Sequence, residues 1–125
     1  MFSKSVFNLD ISKWNVSNVT DMSGMFFISN FNQNISNWNV SNVINMYEMF
    51  YESDFNNNIS NWDVSNVINM YNMFNNSNFN QDVNNWYIKL NLNCDLINFG
   101  TLNKVKINSY DDFKQYHRQM ILNKL

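Results

Sequence analysis

Proline is absent from this 125-residue sequence, glycine occurs only as Gly24 and Gly100, and cysteine only as Cys94. One cysteine excludes an internal disulfide and a cysteine-rich zinc site, and Cys94 reads as a small buried hydrophobe rather than a reactive thiol. Long apolar runs are missing too. The longest spans positions 25–28, whereas a membrane-spanning helix needs about 20 such residues. The opening Met1-Phe2-Ser3-Lys4-Ser5-Val6 has no apolar stretch of the kind an export signal carries, so none is expected within it. Charge is scarce as well. Only 14% of residues are charged, about half the usual share. The net charge of −2 divides unevenly: residues 1–88 hold two basic and seven acidic groups, and residues 89–125 hold six basic and three acidic. Cations so dispersed make no basic stripe, so nucleic-acid binding is not expected.

Asparagine fills the gap left by charge and makes up nearly a quarter of the chain. A bias this strong marks either a low-complexity tract or a repeat that uses amide side chains structurally. With 45% apolar and 17% aromatic residues, the chain has ample material for one core, and a compact domain of this length buries roughly two-thirds of its unfolded surface.

Self-similarity decides between the two. Phe7-Asn8-Leu9-Asp10-Ile11-Ser12-Lys13-Trp14-Asn15-Val16-Ser17-Asn18-Val19-Thr20-Asp21-Met22-Ser23-Gly24-Met25-Phe26 restarts without a gap, and at one constant interval, at Phe31, at Phe55 and in part at Phe79. Tryptophan recurs as Trp14, Trp38, Trp62 and Trp86, and the Met-x-x-Met-Phe ending recurs with Phe26, Phe50 and Phe74. These tryptophans and phenylalanines are the expected structural core. A 24-residue unit cannot close a core alone, whereas stacked copies bury continuous apolar columns.

Within a unit the apolar period changes. Trp14 and Val16 flank Asn15, which predicts a short half-buried strand. Val19, Met22 and Met25 or Phe26 then fall on one helical face, which predicts a short helix from Ser17 with Asn18 as its cap and Asp21 favourable against its dipole. In a stack, equivalent amides lie about 4.8 Å apart and can bond to one another and to turn backbone. Asparagine also tolerates the left-handed conformation that the missing glycines would otherwise supply.

The run Phe-Asn-x-Asn/Asp-Ile-Ser-x-Trp-Asn/Asp-Val-Ser-Asn-Val-x-Asn/Asp-Met-x-x-Met-Phe resembles the BspA-type leucine-rich-repeat-like surface-protein repeat of bacterial, mycoplasma-like and large-virus proteins. The resemblance covers residues 1–88. It implies a right-handed, leucine-rich-repeat-like solenoid with a non-enzymatic role in adhesion or host interaction, placed at a cell surface, secreted or on a virion. Its ligands vary between members, so the partner class it implies is a protein or a glycan. It carries no catalytic residues to this chain.

Both ends depart from the pattern. Met1-Phe2 and Ser5 sit one period before Met25-Phe26 and Ser29, so the sequence opens inside a repeat. The open edge predicts either a longer array or a covering partner, and stacking end to end through this edge is the alternative role. After Ile88 the repeat stops. Residues 89–125 read as a C-terminal capping unit with alternating stretches at 87–92 and 104–107 and a helix opening at Ser109; its functional rival is an amphipathic partner-binding helix.

Chemistry is sparse. His117 and Cys94 share no spacing motif and read as incidental rather than as base and nucleophile. Asp10 and Asp82 share a repeat position with Asn34 and Asn58, a mixture that suits structural hydrogen bonds better than a calcium ladder. No catalytic, cofactor or metal site is expected. The acceptor triplets at Asn15, Asn18, Asn34, Asn39, Asn58 and Asn75 follow from the repeat text itself. More informative are the columns, meaning residues at one repeat position, in which the copies differ: Ser23/Tyr47/Tyr71, Phe27/Tyr51/Asn75 and Gly24/Glu48/Asn72. Variable positions on a fixed frame are where a binding surface is built, which makes Tyr47, Tyr51 and Tyr71 the candidate binding residues.

Overall fold

A computed structural model describes residues 1–83 and Trp86. The expected C-terminal cap over 89–125, with Cys94 and His117, lies outside the described residues. Units 7–30, 31–54 and 55–78 lie parallel, one upon the next. The N–H groups of Met22, Gly24, Phe26 and Ile28 donate to the carbonyls of Asn45, Tyr47, Met49 and Tyr51 at 2.7–2.9 Å, and Met46, Glu48, Phe50 and Glu52 repeat this to Asn69, Tyr71, Met73 and Asn75. Bonds also run the other way, from Ile44 to Thr20 and from Ile68 to Ile44. Asp21, Asn45 and Asn69 are joined by isolated parallel bridges.

The helix expected from Ser17 is not formed; residues 17–28 are turns around one bridge residue. The physical reason is a competition for N–H groups. A helix would direct them to carbonyls one turn back along the same unit, whereas here every second one between Met22 and Ile28 is taken by the next unit. Gly24 and Ile28 also have φ of 61° and 50°, which a right-handed helix cannot contain. Nor is there a strand at Trp14–Val16: the Trp14 N–H closes a turn on the Ile11 carbonyl.

Side-chain oxygens make the corners. Asp10, Asn15 and Asp21 each accept from the N–H two positions on, at 2.8, 3.0 and 2.8 Å. Asn34, Asn39 and Asn45 do the same in the next unit. The buried Ser29, Ser53 and Ser77 hydroxyls make the fourth corner, each receiving the N–H of the Phe that opens the following unit. These are Asx- and Ser-turns, which bend a chain without proline. The sequence predicts Asn18 as a helix cap. The structure instead gives that column a lateral task, since the Asn42 and Asn66 amides donate to the Ser17 and Ser41 carbonyls one unit back.

Inside the turns lies a stacked aromatic core. Phe26 and Phe31 pair at 4.3 Å between ring centroids, Phe50 and Phe55 at 4.4 Å, and Phe74 and Phe79 at 4.2 Å. Phe26, Phe50 and Phe74 continue from unit to unit at 5.5–5.7 Å. Trp38, Trp62 and Trp86 are buried, and their indole N–H groups donate to the carbonyls of Ile11, Ile35 and Ile59 in the preceding unit. Trp14 departs from the expected core: it is 44% exposed. Among the described residues Trp14 lacks the indole-to-carbonyl bond that ties Trp38, Trp62 and Trp86 to the preceding unit, and its one ring contact is Phe2.

Trp62→Ala should lower stability by about 3–5 kcal/mol through lost burial and a residual cavity, and Trp14→Ala by clearly less; urea unfolding of the two variants measures the difference. Ile28 is β-branched at positive φ and sits on the surface, while Asn76 holds the same repeat position at φ 54°. Ile28→Asn should therefore raise stability by about 1 kcal/mol through relief of left-handed strain. An unchanged or lower midpoint would refute that assignment of strain.

Candidate functional site

Because corners and core use fixed repeat positions, the surface is differentiated only where the copies differ. Asn45 accepts the Tyr47 N–H and Asn69 the Tyr71 N–H, at 2.9 and 3.0 Å. Each corner turns Met46 or Met70 into the core and the following tyrosine outward. Tyr47 and Tyr71 are 39% and 41% exposed and stack nearly parallel, with ring centroids 6.2 Å apart. The structure therefore brings two of the three sequence-derived candidates into one ladder.

Tyr51 belongs to a different column. It is half-buried, with its ring 4.9 Å from that of Phe27, and it makes a packing contact beside the ladder.

Sequence reasoning missed Ile44 and Ile68, which are 43% and 53% exposed. They sit one position before the bridge residues, in a column that begins with Thr20, and the Ile68 N–H donates to the Ile44 carbonyl at 2.8 Å. The available signal was that threonine: an isoleucine at a position that is polar in another copy, between the buried Val43 and Met46, has to point outward.

Electrostatics near the ladder are set by carboxylates. The Tyr47 phenol hydrogen-bonds to Glu48, whose negative charge also opposes its ionisation, and both raise the phenol above its ordinary value. The Asp21 carboxyl is held below its ordinary value by hydrogen bonds from the Ser23 side chain and backbone. Asp10 is lowered likewise, first by the Ser12 N–H. Both acids are thereby explained as corner residues.

An open polar groove lies between the first two units, lined by Asp10, Ser12, Gln33, Asn34, Ser36 and Asn37. Its Asp10 and Asn34 oxygens already receive the backbone N–H groups of Ser12 and Ser36. Among the described residues, no group of three or more His, Cys, Asp or Glu is placed to hold a metal ion, and no helix is long and apolar enough to cross a membrane. Glu48→Gln should bring the Tyr47 titration back toward the ordinary phenol range, because it removes the negative charge that opposes ionisation. Ultraviolet-monitored titration of the variant against the parent chain is the check.

The chain matches a family model described as a Mycoplasma protein of unknown function, DUF285, over residues 1–112. No curated protein and no solved structure matches the chain. That model spans the three stacked units together with their corners, core columns and tyrosine ladder, and the chain belongs to the DUF285 family.

Proposed function

We propose that this chain is a non-enzymatic interaction module: a leucine-rich-repeat-like solenoid that offers a side-chain surface to a protein or glycan partner, in an adhesive or host-directed role at a cell or virion surface. The observation that carries the reading is the ladder of Tyr47 and Tyr71 beside Ile44 and Ile68. These large apolar groups are left exposed on units that bury their phenylalanine and tryptophan columns. Exposed aromatic residues on rigid backbone suit recognition because little conformational entropy is lost when they are covered. Parallel hydrogen bonding between units supports the solenoid part of the reading, since each unit satisfies its neighbour. The BspA-type sequence resemblance supports the surface role.

The test is a glycan array together with a pull-down from host-surface proteins, comparing the parent chain with the Tyr47→Ala/Tyr71→Ala variant. The expected result is at least one ligand that the variant loses by about tenfold or more at an unchanged unfolding midpoint, as hot-spot aromatic residues behave. Ligands bound equally by both proteins, or substrate turnover by the parent chain, would refute the reading.

A further inference from the structure

We propose that the face formed by Ile44, Tyr47, Ile68 and Tyr71 takes a basic amphipathic polypeptide segment, one that interleaves Lys or Arg with apolar side chains. This rests on the interaction-module reading and narrows its partner class.

The distribution of exposed apolar residues comes first. Among the described residues the exposed large hydrophobics fall into two groups, and Met1, Val6, Leu9 and Trp14 lie near the start of the chain. The others, Ile28, Ile44, Tyr47, Ile68 and Tyr71, all fall in the equivalent stretches 20–28, 44–52 and 68–76. Ile44 and Ile68 are adjacent through a backbone hydrogen bond, and Tyr47 and Tyr71 are adjacent through ring stacking. The apolar strip is therefore continuous from the second unit to the third and confined to one side of each.

Charge in the same stretches supplies the second observation. Stretches 20–30, 44–54 and 68–78 contain Asp21, Glu48, Glu52 and Asp54 and no Lys, Arg or His. Glu48 follows Tyr47 in the chain, and its negative charge acts on the Tyr47 phenol. Among the described residues the one cation in these columns is Lys4, which shares the column of Ile28 and Glu52 and sits two units before Glu52.

An apolar strip with the Glu48 carboxylate acting on its tyrosine ladder matches the two halves of a lysine or arginine. The aliphatic stem covers Ile44 and Ile68, and the charged head reaches Glu48 or a tyrosine face. An acidic peptide or a nucleic acid would meet like charge.

Calorimetric titration of the whole chain with four synthetic peptides tests this. The first alternates Lys with Leu and Tyr, the second has Gln in place of Lys, the third has Glu in place of Lys, and the fourth keeps Lys but has Gly in place of the apolar residues. The first should bind about tenfold or more tightly than the second, and the third and fourth should bind weakest, because several partly exposed charge pairs act together with apolar contact. Tyr71→Ala should weaken the first by about tenfold at an unchanged unfolding midpoint. Glu48→Gln/Glu52→Gln should erase the preference for Lys over Gln while leaving the second peptide unaffected. Equal binding of the first two, equal binding of the first and fourth, or no effect of Tyr71→Ala would overturn the proposal. A peptide failure alongside a glycan lost by Tyr47→Ala/Tyr71→Ala overturns only the partner class; a failure with no ligand sensitive to that variant removes the interaction reading as well.

Discussion

Over positions 22–28 and 46–52, every second backbone N–H finds its acceptor in the next unit rather than in its own, Met22 on Asn45 and Gly24 on Tyr47. Buried backbone donors have to be paired, and the pairing here is made between units. The stack, rather than the unit, is thus the smallest piece that satisfies its own hydrogen bonds, and the rest follows from holding copies in register. Equivalent side chains must lie over one another, which turns each sequence position into a column. Phenylalanine columns stack ring on ring, tryptophan columns reach back to the preceding unit's carbonyls, and asparagine columns bond laterally.

The same register accounts for the odd composition. A chain that reverses direction several times within one repeat would usually spend proline and glycine on its corners. Here Asn, Asp and Ser oxygens accept the N–H two positions ahead, and positive φ falls on Lys4, Glu48, Glu52, Asn72 and Asn76 as well as on Gly24 and Ile28. Inter-unit bonds from Gly24, Ile28, Glu48 and Glu52 hold these left-handed residues in place, so local strain is tolerated because the stack over-determines the backbone. Asparagine is common because it serves as corner acceptor and as lateral donor, and neither task needs charge.

A frame of this kind separates stability from recognition. Changes in the Phe, Trp and corner columns disturb two neighbouring units at once, whereas changes at positions 20 and 23 of the first copy and their equivalents alter only what faces outward. Thr20 gives way to Ile44 and Ile68, and Ser23 to Tyr47 and Tyr71, so the second and third units carry a surface that the first lacks. Asp21, Glu48, Glu52 and Asp54 fall in the same stretches, against Lys4 two units before Glu52 in its column, giving that surface both shape and sign.

The sequence by itself determined the repeat period, the residues that share a column, and the residues able to bend the chain, because identity at a fixed spacing is a property of the string. Which local conformation realises the period was decided only in three dimensions. Apolar residues at Val19, Met22 and Met25 or Phe26 return inward equally well from a helix or from a succession of tight turns, and the two differ in where the N–H groups find acceptors. Those acceptors lie in the neighbouring unit, beyond the reach of local periodicity. For the same reason Tyr47 and Tyr71 were legible as candidates but not as a stacked pair set apart from Tyr51, and Ile44 and Ile68 were not legible as surface. Outward orientation there depends on a corner held by Asn45 or Asn69 together with a bridge to the neighbouring unit, and that combination exists only once the copies are stacked.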